Sequence, residues 1–293
     1  MLRTKRRWVV LLALLLVLMA SVIYLSSVNI PVLEPKGIIA DKEFRLLVTV
    51  VLIMSVVALP VFGLLAYIVW KYNEKNQIRK KYSPDWESNK YIEGTWWAIP
   101  TILIVILSII TWNATYALNP YNPIPSKNKT LVVQVVALDW KWLFIYPSLR
   151  VASINKLMMP VNTPVHFYLT ADAPMNSFWI PQLSGQIYAM PGMQTQLYIL
   201  ANQSGEYNGW SANISGIGFA GMMFKADVVS ASQFRAWAST TLLRAPALTI
   251  ARYNNLIKPS TYVASAFYAN PAPNIFNLTI DKYMMPNYHG AVQ

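Results

Sequence analysis

The sequence predicts a membrane-anchored α+β protein. Two transmembrane helices follow a signal or anchor segment, and a Greek-key β-sandwich with a short helical C-terminal region lies outside the membrane. Three observations carry this. Charge-free apolar stretches of bilayer-spanning length occupy residues 46–70 and 96–118. After residue 120 the pattern changes to short runs rich in Val, Phe, Tyr and Trp, separated by Pro, Gly and Asn turns. From Ser232 onward the periodicity becomes helical.

The elements follow in order. Residues 1–28 read as a signal peptide or signal anchor, because the apolar run from Trp8 to Val28 follows Arg3, Lys5, Arg6 and Arg7. Residues 29–119 form the helical hairpin. Its connecting loop carries Lys71, Lys75, Arg79, Lys80, Lys81 and Lys90, which places the loop on the cytoplasmic side despite its four acids. The first helix then runs inward, the second returns, and the rest of the chain lies outside. Trp70, Tyr72, Trp96, Trp97, Trp112 and Tyr116 cluster near the expected helix ends, as interfacial aromatics do. Residues 119–125, Asn-Pro-Tyr-Asn-Pro-Ile-Pro, form a stiff linker. Residues 120–230 form the sandwich, with strand runs at Thr130–Ile145, Pro164–Thr170, Gln194–Ala201 and Met222–Val229. In residues 231–293, helices are expected around Phe234, Trp237 and Leu242–Leu243, then over Ala247–Ile257 and Ile275–Met285.

Composition excludes several functions. The chain has no Cys, so it forms no disulfide, no thiolate metal site and no thioether-linked lipid. Its net charge of +12 comes from Lys and Arg that are scattered or flank apolar segments, a topogenic pattern that does not point to nucleic acid. His166 sits in an expected strand and His289 near the C-terminus, too far apart in sequence to suggest a metal site.

Residues 205–222 carry the functional reading. They run Gly-Glu-Tyr-Asn-Gly-Trp-Ser-Ala-Asn-Ile-Ser-Gly-Ile-Gly-Phe-Ala-Gly-Met. Their punctuation resembles the G-x-Y-x-G-x-C-x3-C-x3-H-x2-M stretch that binds dinuclear copper in subunit II of haem-copper cytochrome c oxidases. In that register the two Cys positions fall on Ser211 and Ser215, the His position on Phe219 and the Met position on Met222. The upstream His position falls on Asn176. Asn213 stands where copper-bearing relatives carry a Glu. A hydroxyl and a phenyl ring cannot replace the soft sulfur and imidazole ligands that hold copper in both redox states. The scaffold with its metal ligands removed resembles subunit II of quinol oxidases, above all the cytochrome bo-type ubiquinol oxidases. Residues 137–147, 175–181 and 186–195 strengthen that resemblance, as do 82–86 and 88–90 between the spans.

The resemblance implies a cupredoxin-like periplasmic domain without a dinuclear copper site. It also implies a non-catalytic subunit of a proton-pumping terminal quinol oxidase in a bacterial inner membrane. No cofactor is expected in this chain; haems, copper and ubiquinol belong to the partner subunit I. Other small oxidase subunits and the lipid bilayer are further partners, and cytochrome c is not. Glu93 matches the position at the mouth of the K-channel for proton uptake, although a carboxylate there also suits the helix dipole. Trp140 occupies the place of the tryptophan that receives electrons in cytochrome c oxidases, and with no copper beneath it a structural role is expected. Met222 is expected to pack in the core. Val28 occupies the lipidated Cys position of bo-type relatives, so that modification is chemically impossible there. Two alternatives remain: a copper-bearing cytochrome c oxidase subunit II, and a stand-alone membrane-anchored cupredoxin-like assembly module.

Overall fold

The computed structural model describes residues 19–20, 30–72 and 88–284. Apart from residues 19–20, the expected signal segment with Val28 lies outside the described residues, as do most of the basic loop and His289. The chain divides into two units, Met1–Glu34 and Pro35–Gln293. The first contributes a 3-10 turn at Pro31–Leu33; everything below concerns the second.

Helices α1 (Ile38–Lys71) and α2 (Lys90–Ala117) are both long and apolar enough to cross a membrane. Their apolar side chains are largely exposed, as they must be for contact with lipid or a partner. Helix α1 starts eight residues before the charge-free stretch at 46. Its first turns carry Asp41, Lys42, Glu43 and Arg45 and meet the sandwich instead of the bilayer. Lys36 N–H donates to the Gln182 carbonyl at 2.7 Å, Ala40 N–H to that of Leu183 at 3.3 Å and Ile38 N–H to that of Leu200 at 3.2 Å. Asn202 N–H donates back to the Lys36 carbonyl at 2.9 Å. The Glu43 carboxylate accepts from the backbone of Gly185. The first transmembrane helix is therefore fastened to the sandwich by main-chain bonds on two separate loops.

The sandwich has two mixed sheets. One contains β1 (Leu131–Leu138), β2 (Lys141–Tyr146), β3 (Val151–Ile154), β5 (Val165–Ala171), β8 (Thr195–Ile199) and β11 (Ala266–Ala269), in the order β11-β3-β2-β1-β5-β8. The other contains β4 (Lys156–Pro160), β6 (Asn176–Trp179), β7 (Ile187–Ala189), β9 (Gly205–Ser211) and β10 (Met223–Val229), in the order β4-β10-β9-β6-β7. Pairing is parallel between β1 and β5 and between β4 and β10. Between the sheets, Trp142, Phe144, Phe178 and Phe224 form an aromatic centre. Phe178 and Phe224 stack with centroids 5.1 Å apart, and Trp142 meets Phe178 edge-on at 5.4 Å.

The C-terminal region contributes α3 (Ala231–Arg244), α4 (Ile250–Leu256) and α5 (Ile275–Met284). The sequence reading gives this region three helices and no strand, yet between the second and third it also supplies β11, which pairs with β3 at the edge of the first sheet. Leu248, Tyr253, Ile275 and Phe276 from this region cover the outer face of β1 and β2 at Val136, Leu138, Leu143 and Ile145. The middle of the first sheet is thus buried on both faces. This is why Thr130–Ile145 reads as one apolar run without alternation. The structure splits that run into a hairpin at Asp139–Trp140, with Leu138 opposite Lys141.

Candidate functional site

Asn176 opens β6 and Ser211 closes the neighbouring β9, so strand pairing alone brings them together. Both are buried. The Ser211 hydroxyl donates to Asn176 Oδ1 at 2.9 Å and also lies 3.1 Å from the Asn213 carbonyl. The Asn176 amide donates to the Pro174 carbonyl at 2.8 Å, and that of Asn213 to the Met175 carbonyl at 2.9 Å. Phe219 opens a 3-10 turn, Phe219–Gly221, that delivers Met222 into the core between the sheets. Ser215 presents a buried hydroxyl with no partner among the described residues. The loop thus brings together Asn176, Ser211, Asn213 and Met175.

Trp140 holds this loop from the other side. Its indole N–H donates to the Ser215 carbonyl at 3.2 Å. Its ring lies against Gly216, and a β-carbon at Gly218 would overlap it. Gly216 has φ +118°, closed to L side chains without strain. Trp140 itself takes φ 58°, costly for a bulky residue and maintained by this packing. The glycines of the motif therefore serve the fit of the loop beneath an indole ring, which gives Trp140 a structural task.

The residues present do not fit a dinuclear copper centre. The donors are two amides, two hydroxyls and one buried thioether, and the best-placed pair, Asn176 and Ser211, is already hydrogen-bonded to itself. Among the described residues no group of three or more His, Cys, Asp or Glu could hold a metal. His166 is buried between the rings of Tyr168 and Tyr198, at centroid distances of 4.2 and 4.0 Å, with Nε2 2.9 Å from Gln196 Oε1. Burial pushes its pKa below the ordinary histidine value, against the opposing hydrogen bond from Gln196. The full-length protein, loaded with copper and dialysed, is expected to retain no stoichiometric copper. Retention of one or two copper ions per chain would require ligands other than those named here.

Glu93 lies in the first turn of α2. Asn89 caps this helix, its Oδ1 accepting from Tyr91 N–H at 3.0 Å and Ile92 N–H at 3.3 Å. Glu93 Oε1 accepts from Asn89 N–H at 3.2 Å, completing a reciprocal cap. The carboxylate thus has a local structural role at the same point where the resemblance implies proton uptake.

Two buried polar groups escape a reading of the sequence. The Asp172 side chain, 2% exposed, accepts from Tyr253 OH at 2.9 Å, Tyr283 OH at 2.7 Å and Lys282 Nζ at 2.6 Å. Burial and the Asp172 charge push both tyrosine pKa values far above the ordinary range, so both remain donors. Lys141 is buried at the start of β2, where Nζ donates to the Lys258 carbonyl at 2.9 Å, the Asp139 carbonyl at 3.3 Å and the Ser260 hydroxyl. Burial lowers its pKa, and the Asp139 charge works against that shift. Both groups tie the C-terminal region to the sandwich. No local motif marks them, because their partners are remote in sequence.

Comparison with known proteins agrees with this architecture. The family profile described as cytochrome c oxidase subunit II, periplasmic domain, matches residues 112–229. A second, the oxidase aromatic-rich motif, matches residues 244–287. The cytochrome bo(3) ubiquinol oxidase subunit 2 of Pseudomonas aeruginosa is 40% identical over 272 residues, covering 93% of this chain and 81% of its own. The Pseudomonas putida protein of the same name is 43% identical over 259 residues, covering 88% and 82%. The ubiquinol oxidase subunit 2 of Acetobacter aceti is 39% identical over 267 residues, covering 90% and 86%. A membrane-anchored helical pair, an oxidase-type periplasmic sandwich and this similarity along nearly the whole chain together make the protein a member of the ubiquinol oxidase subunit 2 family of haem-copper oxidases.

Proposed function

We propose that this chain is the non-catalytic subunit II of a bacterial terminal oxidase that oxidises ubiquinol, reduces oxygen to water and pumps protons. One observation carries the reading. The chain is 40% identical to a ubiquinol oxidase subunit 2, and the resemblance that puts Asn176, Ser211, Ser215 and Phe219 in register with copper ligands supports the same reading. A quinol dissolved in the membrane delivers its electrons to subunit I, where the haems, copper and quinol site reside. No soluble electron donor then has to dock on the outside domain. The charge agrees: residues 120–293 hold five acids against eleven bases, a poor surface for a basic cytochrome c. The chain braces and caps subunit I in the inner membrane, with the sandwich in the periplasm. Residues 1–28 direct its insertion, and the emptied copper positions serve as a hydrogen-bonded loop. Membranes from a strain lacking this chain should lose ubiquinol-dependent oxygen uptake and regain it with the wild-type gene. Restored oxidation of reduced cytochrome c in place of ubiquinol would favour a cytochrome c oxidase.

Glu93 serves proton uptake from the cytoplasm, in addition to capping α2. The two roles separate in two variants. Glu93→Gln keeps an oxygen acceptor for Asn89 N–H but removes the charge, whereas Glu93→Ala removes both. If the charge serves proton uptake, both variants assemble and both slow turnover. A Gln variant with normal turnover and normal proton uptake during haem reduction would leave only the cap.

A further inference from the structure

Acidic residues are distributed unevenly across the membrane. In the topology set by the loop charges, residues 29–45 and 119–293 lie outside and hold eight Asp and Glu in 192 residues, with fourteen Lys and Arg. The cytoplasmic stretch 71–93 holds four acids in 23 residues. Soluble domains carry about one acid in eight residues. The inner stretch is thus ordinary, and the outer part has about a third of the usual number. Drift in composition would thin both sides alike, and would not thin acids more than bases.

Neutral groups stand where carboxylates commonly serve. On the inner side, α2 closes its N-terminal cap with the carboxylate of Glu93. On the outer side, α3 makes the same reciprocal cap with an amide: Ser230 N–H donates to Gln233 Oε1 at 3.0 Å and Gln233 N–H to Ser230 Oγ at 3.3 Å. The first turns of α3, α4 and α5 hold no acid. The outer lysines follow the same pattern. Lys225 Nζ donates to Asn208 Oδ1 at 2.7 Å, and Lys258 Nζ to Asn255 Oδ1 at 3.0 Å. Lys141 Nζ is held by two backbone carbonyls and the Ser260 hydroxyl. None of these acceptors titrates between neutral pH and about pH 3.

The remaining outer carboxylates are few, and most meet cations. Asp172 faces Lys282, Tyr253 and Tyr283. Asp227 and Glu206 share Lys156, at 2.7 and 3.5 Å, and Glu206 also meets Lys225 at 3.0 Å. Asp41 pairs with Arg45 at 2.9 Å. The stability such pairs add is lost as pH falls through their folded-state pKa values. All but the Asp172 pair are partly exposed, where a pair contributes little. His166, between Tyr168 and Tyr198 and beside Gln196, is one further acid-sensitive group: burial favours its neutral ring, so its contribution falls below the ordinary histidine pKa. Protonating every outer carboxylate adds eight charges, against about 24 at the usual density, so self-repulsion grows little.

We infer that the outside part of this chain is adapted to a strongly acidic medium, at about pH 3–4, while its cytoplasmic loop faces a near-neutral one. The sandwich then caps its complex on the acid side of a steep proton gradient. The inference rests on the sidedness in the proposed function and not on the quinol chemistry.

Near-ultraviolet circular dichroism of the full-length chain in detergent follows the aromatic centre of the sandwich. Its melting temperature should fall by less than about 10 °C between neutral pH and about pH 3. A larger fall, or loss of the folded signal at room temperature, would overturn the inference. The triple variant Gln233→Glu, Asn208→Asp and Asn255→Asp returns carboxylates to three neutral positions. It should melt at or above the wild-type temperature at neutral pH and fall by about 5 °C more than the wild type by about pH 3. An equal fall in both proteins would overturn the inference, since the neutral acceptors would then confer no acid tolerance. Antibody access to a C-terminal tag in right-side-out vesicles, and not in inverted ones, checks the sidedness separately. A tag reached only in inverted vesicles would overturn the inference through its premise, whatever the melts show. None of these outcomes depends on turnover, so the acid adaptation and the oxidase reading can fail separately.

Discussion

Asp172→Ala is expected to lower the melting temperature of the protein by about 5–10 °C, from a loss of about 2–3 kcal/mol. The carboxylate is 2% exposed and serves three donors, two tyrosine hydroxyls and the Lys282 ammonium. Truncation leaves the Tyr253 hydroxyl with only Thr279 Oγ1, 2.7 Å away. It also leaves a cation beside a cavity, and a buried donor without its acceptor carries its full desolvation penalty. Lys282 is 43% exposed and can turn to water, which keeps the expected loss well below that of a fully buried charge. Asp172→Asn keeps an acceptor oxygen of similar size and should lose less than half as much. Helix α5 should release first, because Tyr283 and Lys282 lie in its last turn. Protease cleavage between residues 270 and 284 should therefore accelerate in the Ala variant. A variant that melts with the wild type would remove Asp172 as the fastening of the C-terminal region.

Gly37→Val is expected to uncouple the sandwich from the first transmembrane helix. A β-carbon at Gly37 would overlap the Leu183 carbonyl oxygen, so one of the two backbones has to move. Movement breaks the bonds of Lys36, Ile38 and Ala40 to the loops at 182–183 and 200. At about 1 kcal/mol each, their loss with the accompanying strain amounts to about 3–4 kcal/mol concentrated at one junction. The sandwich core lies elsewhere, so the variant should keep its strand content while residues 35–38 become open to protease. Oxidase assembly should fall in proportion. Wild-type protection of that junction would contradict the assignment.

The membrane helices were legible because a charge-free run of spanning length rarely belongs to anything but a bilayer helix. Their outer extension was not, since Ile38–Arg45 carries charges that become intelligible only against the loops at Leu183 and Gly185. Within the sandwich, the runs leading to β5, β8 and β10 could be read. Strands β6, β7 and β9 could not, being short or rich in Gly and Asn. The Asp139–Trp140 turn was hidden because it has no glycine and is followed by a buried lysine. Strand β11 owes its existence to the edge of β3 and has no strong signature of its own. The loop that the resemblance matches to a copper site was readable from its glycine and tyrosine punctuation. The indole of Trp140 on Gly216 and Gly218 gives those two glycines a packing role. Asp172 was silent because its partners lie 81, 110 and 111 residues away.

A chain that works inside a quinol oxidase without a redox metal of its own should purify together with that oxidase. The most direct measurement is purification of the native complex through a tag on this chain, with its haem spectrum and its oxidation of ubiquinol and of reduced cytochrome c recorded on the same sample. Co-purification with a haem-bearing subunit is expected, with oxygen uptake driven by ubiquinol and none driven by cytochrome c. A chain that purifies without haem, or a complex that oxidises cytochrome c in preference to ubiquinol, would contradict the quinol oxidase reading.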